Sequence, residues 1–249
     1  MTSIKFSTTP TPRHHVRSAE RDAERSGDGR PGTPSAERDR LRRALNVAVA
    51  LLALVATLPA LAVIAALVRV TSKGPVLYRQ TRVGLDRRGG RLPAVHSRRR
   101  SDMGGRLFTM YKFRTMYTRP HEPDAEVWAT PDDPRVTALG RVLRKYRLDE
   151  LPQLWNVLRG EMNIVGPRPE QPTIFVKLRE QIEHYEIRQR VRPGITGWAQ
   201  VNHTYDSCLD DVRRKVQLDL EYLHQRSALH DLKIMALTVP VMVGRRGAW

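Results

Sequence analysis

Between Ala44 and Val68 the chain carries about 25 consecutive residues without a charge, enough helix to reach across a bilayer core. The run begins too far from the N-terminus, and lacks the small-residue cleavage signal after it, to read as a cleaved leader. Arg42 and Arg43 precede it, and Arg69, Lys73, Arg79 and Arg82 follow it, so both flanks look cytoplasmic under the positive-inside bias. Pro59 lies past its middle, where it removes a backbone donor and crowds the preceding turn, so the helix is expected to bend there. A helix that enters the membrane, breaks at Leu58-Pro59 and returns to the same face meets both observations. An ordinary spanning anchor with a proline kink is the alternative.

Beyond this run the periodicity shortens. Gly74 and Pro75 open "GPVLYRQTRVGL", a strand-like stretch that closes on the turn residue Gly84. Residues from about 86 to 106 are rich in Arg and Gly and poor in apolar side chains, a solvated loop whose charge suits lipid headgroups. In "RLFTMYKFRTM", Leu107, Thr109, Tyr111 and Phe113 alternate with Phe108, Met110 and Lys112, a short strand that presents Lys112 and Arg114 near its end. Two cations beside an apolar strand suit phosphate, and ordinary surface charge explains them as well.

Helical spacing returns in "LDELPQLWNVLRGEM", with Leu151, Leu154, Trp155 and Leu158 in register and Gly160 as the stop. Pro152 fits only the first turn of a helix, so the helix is expected to start near Asp149. Asp149 and Glu150 then face unsatisfied amides and the positive end of the helix, which hold a carboxylate ionised as a nucleophile or Mg2+ ligand requires. Plain N-capping by Asp149 and dipole complementarity for Glu150 account for the pair equally. "NIVGPRPE" sets Arg168 between two prolines, a restricted turn that suits bidentate phosphate recognition, and the same reasoning covers Arg192 in "VRPGITGWAQVN". Further helices are expected over about 174–190, about 210–225 with Val212, Val216, Leu220 and Leu223 on one face, and about 229–243. The last carries Leu232, Met235, Ala236 and Val239 on an apolar side that fits the core or the membrane surface.

Composition changes this picture in two places. Residues 1 to about 40 hold Ser, Thr, Pro, Gly and charged side chains with almost no large apolar ones, and read as a disordered basic tail. The 249 residues carry a formal net charge of +17, which asks for nucleic acid, an anionic membrane face or phosphorylated substrates. Few aromatic residues for base stacking, no docking motif and an apolar segment that DNA binding does not need argue against nucleic acid. The single cysteine, Cys208, excludes a disulfide framework and a thiolate metal cluster. The histidines show no paired ligand spacing, and no glycine-rich dinucleotide or P-loop fingerprint is present.

Read in order, "GPVLYRQTRVGL", "YKFRTM", "DPRVTALGRVLRKYRLDELPQLWNVLRGEMNIVGPRPE" and "VRPGITGWAQVN" resemble the bacterial sugar transferase family, the monotopic polyprenyl-phosphate phosphoglycosyl transferases, over about residues 41–249. The resemblance implies an α+β, mostly helical monotopic membrane protein with one re-entrant helix at 44–68 broken at Pro59, a small β element and interfacial amphipathic helices. It implies transfer of a sugar-1-phosphate from a UDP-sugar to polyprenyl (undecaprenyl) phosphate with release of UMP, as the first membrane step of exopolysaccharide or other glycoconjugate synthesis. By the same resemblance Asp149 is the nucleophile that forms a phosphosugar-aspartyl intermediate, Glu150 helps hold Mg2+, and Arg168 meets phosphate. Lys112, Arg114, Arg144, Arg147 and Arg192 are the supply of further phosphate-binding cations.

The implied partners are polyprenyl phosphate, a UDP-sugar, membrane lipids, and a homo-oligomer or polysaccharide assembly complex, with no nucleic acid. The implied place is the inner membrane, with the catalytic domain on its cytoplasmic face. UDP-glucose and UDP-galactose are the commoner donors of the family's polysaccharide branch, and the sequence does not choose among sugars. Departures from the family's pattern fall at Asn46, where an acidic residue is usual, in a longer Arg-rich loop, and at His203, where glycine is common. At Asn46 a hydrogen bond must replace an ion pair.

Overall fold

The apolar run forms a helix longer than its charge-free stretch: α1 covers Ala36–Thr71. The computed structural model describes residues 36–86, 103–117, 133–203 and 208–243. Residues 1–35 of the expected tail and 87–102 of the Arg-rich loop lie outside them. The chain divides into two units, Met1–Arg40 and Leu41–Trp249, with the strands and the core in the second.

Helical geometry runs on through Pro59 instead of stopping at Leu58, because a proline costs a helix one donor and a bend without ending it. Two residues earlier the Thr57 hydroxyl donates to the Ala53 carbonyl at 2.6 Å. Burial follows a single stripe of α1: Arg42, Asn46 and Ala50, then Ile64, Val68 and, just past the helix, Ser72. Their spacing is that of one helical face. Leu51, Leu52, Val55, Leu58, Val63, Leu67 and Val70 stay exposed, and only 11% of the most apolar window is buried in protein. Asn46 makes the hydrogen bonds its position demands: Oδ1 accepts from the Ile164 amide at 2.6 Å, and Nδ2 donates to the Arg42 carbonyl at 2.7 Å.

The two strand-like runs form an antiparallel pair, β1 (Leu77–Val83) and β2 (Leu107–Phe113), with Leu77 opposite Phe113 and Val83 opposite Leu107. β2 buries Phe108 and Met110 in a cluster with Ala50, Leu154, Val157 and Met162. Phe113 joins a second cluster with Ile64, Val68 and Leu143. Both halves of α1 therefore supply core side chains. A second pair, β3 (Asn163–Val165) and β4 (Gly194–Thr196), is parallel. Here the backbones come so close that a Cβ on Gly194 would sit 2.1 Å from the Gly166 nitrogen, a place only glycine fills.

The remaining helices are α2 (Ala138–Lys145), α3 (Gln153–Leu158), α4 (Pro172–Gln181), α5 (Trp198–Asn202), α6 (Leu209–Gln225) and α7 (Ala228–Val243). Gly160, at φ +77°, closes α3 as expected. The single helix expected over about 174–190 is corrected: α4 ends at Gln181, His184 turns left-handed at φ 62°, and a 3-10 segment Tyr185–Arg190 follows. The break turns Tyr185 and Arg188 into the interior, where Arg188 donates to Asp219 at 2.8 Å and to the Tyr185 hydroxyl at 2.6 Å. α7 buries Asp231 and Ile234, whereas Leu232 and Val239 of its expected apolar side face outward. Arg42 of α1 pairs with Asp231 at 3.0 Å and donates to the Tyr222 hydroxyl of α6 at 2.6 Å, tying the first helix to the last two.

Candidate active site

A left-handed residue sets the turn that holds the two carboxylates. Arg147, at φ 53°, follows α2 and leads into a 3-10 turn, Leu148–Glu150; α3 begins only at Gln153. The expected helix start near Asp149 is corrected accordingly. Pro152 stands at the N-cap of α3, and the carboxylates occupy the tighter turn before it. The reversal at Arg147 lets Leu148 and Leu151 both pack on the Phe113 and Leu143 cluster.

Asp149 and Glu150 are both buried. Glu150 Oε1 accepts from Lys112 Nζ at 2.8 Å and from Arg168 Nη2 at 3.0 Å, while Glu150 Oε2 is buried without a hydrogen-bond partner. Burial pushes the Glu150 carboxyl up, but Lys112, Arg168 and Arg147 together outweigh it and hold the group well below the ordinary carboxylate range. Asp149 comes out the other way: burial raises it, Lys112 opposes only in part, and the neighbouring Glu150 raises it further. Glu150 in turn holds the Arg168 guanidinium charged. Two adjacent buried carboxylates thus acquire different characters, one held as an anion by its cations and the other pushed toward its neutral form by burial and its neighbour's charge.

The supporting residues come from distant parts of the chain. Asn156 of α3 braces the strand that aims Lys112, accepting from the Tyr111 amide at 3.2 Å and donating to the Thr109 carbonyl at 2.7 Å. The Pro-Arg-Pro turn is held by Arg188 Nη2 on the Arg168 carbonyl at 3.1 Å and by Arg82 Nη1 on the Pro169 carbonyl at 3.0 Å. Sequence reasoning missed the part played by Arg82. Burial lowers its guanidinium to about 10, with Glu170 opposing, and its alternation along β1 was the one available signal.

Of the cations proposed from sequence, Lys112, Arg147 and Arg168 act on Glu150, and Arg144 acts on Asp149 while donating to Thr115 Oγ1 at 2.9 Å. Arg114 and Arg192 are placed elsewhere. Arg114 Nη2 donates to the carbonyls of Val68 at 3.2 Å and Ser72 at 2.7 Å, where the end of α1 leaves carbonyls without helical partners. Arg192 Nε donates to the Gly160 carbonyl at 3.0 Å, just past α3. His203 sits at the end of α5, its amide donating to the Ala199 carbonyl at 2.8 Å.

Among the described residues no group of three or more His, Cys, Asp or Glu side chains gathers as a self-sufficient metal cage. Mg2+ does not need one, since it commonly takes one or two carboxylates and completes its shell with water and substrate phosphate. The unpartnered Glu150 Oε2 beside Asp149 fits a cation that arrives with a diphosphate.

The bacterial sugar transferase family matches this chain over residues 37–245, taking in nearly all of α1, both strand pairs and the dyad. The chain is 40% identical over 222 residues to the undecaprenyl-phosphate glucose phosphotransferase of Komagataeibacter xylinus, covering 87% of this chain and 38% of that protein. It is 37% identical over 208 residues to the UDP-N-acetylgalactosamine-undecaprenyl-phosphate N-acetylgalactosaminephosphotransferase of Aeromonas hydrophila, covering 84% and 45%. With the UDP-glucose:undecaprenyl-phosphate glucose-1-phosphate transferase of Caulobacter vibrioides it shares 37% identity over 224 residues, covering 88% and 77%. The chain spans less than half the length of the first two relatives. With its dyad, its Pro-Arg-Pro turn and its apolar helix all inside the matched span, the chain belongs to the bacterial sugar transferase family.

Proposed function

We propose that this protein transfers a sugar-1-phosphate from a UDP-sugar to polyprenyl phosphate, releasing UMP, with Asp149 as nucleophile. The observation that carries the reading is the division within the dyad: Glu150 is pinned as an anion by Lys112 and Arg168, while Asp149 is desolvated and left without so close a cation. In the first half-reaction a carboxylate oxygen of Asp149 bonds to the sugar-bearing phosphorus. The bond from that phosphorus to the bridging oxygen breaks, and UMP leaves with the electron pair. In the second, a phosphate oxygen of the lipid attacks the same phosphorus, the acyl-phosphate bond breaks, and Asp149 returns as a carboxylate.

Lys112 and Arg168 orient Glu150 and leave Oε2 without a hydrogen-bond partner, and Glu150 would help hold Mg2+. When bound, the ion would neutralise diphosphate charge that otherwise repels the incoming carboxylate. Arg168, 38% exposed, keeps guanidinium donors that can meet a phosphate oxygen.

The same reading places the enzyme on the cytoplasmic face of the inner membrane with α1 re-entrant. In support, Arg43 Nη2 donates to the Val157 carbonyl at 2.6 Å near one end of α1, and Arg114 holds Val68 and Ser72 at the other. A straight helix from Arg42 to Ser72 would run about 45 Å, beyond a bilayer core of about 30 Å, and would set those ends on opposite faces. One catalytic unit grips both. The exposed Leu232, Leu237 and Val239 of α7 fit interfacial contact.

Purified protein given Mg2+ and a panel of UDP-sugars, with glucose and N-acetylgalactosamine first, is expected to gain the mass of a sugar phosphate and release UMP. Asp149→Asn is expected to do neither. A wild type left unmodified by the whole panel overturns the reading. Cysteines placed before Ala44 and after Val68 should label from one side of the membrane; labelling from opposite sides removes the re-entrant course.

A further inference from the structure

A cavity of about 160 Å³ lies between the dyad's turn, β4, α5 and the second half of α7. Its apolar walls are Leu151, Leu154, Ile195, Val201, Val241 and Met242, and Arg147 and Glu150 also line it. Thr196 and Thr238 complete the wall, but their hydroxyls bond each other at 2.8 Å, and Thr238 donates to the Ile234 carbonyl at 2.7 Å. What they offer an occupant is mainly methyl. Gln200 Nε2 is likewise engaged, on the Ile195 carbonyl at 3.1 Å, which leaves Gln200 Oε1.

This lining selects against a nucleobase, whose several donors and acceptors would be buried with few matches, and unmatched buried polar groups are costly. A hydrocarbon needs no matches. Apolar cavities of roughly 150 Å³ take a benzene-sized group, so this one holds about one isoprenoid unit and not a long chain. The charged part of the lining is Arg147 and Glu150, so a phosphate attached to the hydrocarbon would lie at the dyad. α7 gives the route. From Ile234 to Val243 it carries no charge, with Thr238, Val241 and Met242 on the cavity and Leu237 and Val239 exposed. A chain held in the membrane meets the cavity across one helix.

We infer that this cavity receives the phosphate-proximal isoprenoid unit of the lipid acceptor, and that Val241 and Met242 set the fit for the second half-reaction. The inference rests on the transfer to polyprenyl phosphate proposed above.

The test uses the full chain in mixed micelles with undecaprenyl phosphate and the UDP-sugar that the wild type accepts. Val241→Trp fills the cavity. The burst of UMP from the first half-reaction is expected to persist, while KM for undecaprenyl phosphate rises about tenfold or more, the loss of burying roughly two methylene groups. A rise in KM for the UDP-sugar instead, or no change in either step, overturns the assignment.

Because a tryptophan here can disturb α7, a second measurement leaves the protein unaltered. A prenyl phosphate bearing a diazirine on its first isoprenoid unit is photolysed on the wild type. Crosslinks are expected on the peptides carrying Leu151, Leu154, Val241 and Met242, and crosslinks confined to the exposed face of α1 overturn the assignment. A wild type that releases no UMP from any donor removes the proposed reaction itself. An active wild type with an indifferent Val241→Trp removes only the cavity's role.

Discussion

Lys112 Nζ and Arg168 Nη2 converge on a single oxygen, Glu150 Oε1, at 2.8 and 3.0 Å. That shared attachment fixes the carboxylate in one orientation and leaves its second oxygen buried without a hydrogen-bond partner. Lys112→Met removes the closer cation from a buried anion. Its expected effects are a fall in UMP release on the order of a hundredfold and a loss of about 1–3 kcal/mol in stability. Steady-state assay and chemical denaturation check the two arms, and a rate within twofold of wild type would separate the pair from the chemistry.

Asp149 should show a conflict between stability and activity. Its folded pKa is raised, chiefly by burial, so the ionised group opposes folding at neutral pH and that penalty is relieved as pH falls through the folded pKa. Asp149→Asn, already expected to form no phosphosugar adduct, should be as stable as the wild type or up to about 1 kcal/mol more stable. Thermal unfolding at neutral pH measures this. A clear loss of stability would mean that the carboxylate is a structural cap.

Acid sensitivity should involve Glu170 as well as Glu150: the Glu170 carboxyl is lowered from 4.5 to about 2, because burial raises it but Lys215 and Arg188 prevail. A depressed acid contributes its full stability above its unfolded value and loses it as pH falls from about 4.5 toward 2. The amount is about 3 kcal/mol at most. Glu170→Gln should flatten the stability profile across that window, and an unchanged slope would assign the acid transition to other groups.

Asn46→Ala strands the Ile164 amide and should cost about 1–3 kcal/mol. Asn46→Asp keeps the acceptor and should recover most of it. Denaturant midpoints in the same detergent compare the two variants, and equal losses in both would show that the amide's donor to Arg42 is what matters.

Much of this was legible in the chain. Alternation located β2 and aimed Lys112, two prolines marked Arg168 as held, and Gly160 ended α3 where the apolar spacing stopped. The turn carrying Asp149 and Glu150 was harder, because Pro152 fits the N-cap as well as the first helical turn, and the left-handed Arg147 has no signature. That Arg114 and Arg192 each rest a nitrogen on a backbone carbonyl was not legible, because helix carbonyls and phosphates both present oxygens to a guanidinium. The brace formed by Arg188, Glu170, Asp219 and Lys215 joins positions 18 to 45 apart, which no local periodicity reports.

The buried stripe of α1 has a consequence for how such a protein can be handled. Arg42, Asn46, Ala50, Ile64 and Val68 are core and network residues of the catalytic unit, so the helix is no detachable leash. Trimming it to obtain a water-soluble enzyme would take out one wall of the domain. The same arrangement fixes the dyad's turn along α1: Arg43 near one end and Arg114 at the other hold the helix to the domain, which leaves the turn little room to slide along it.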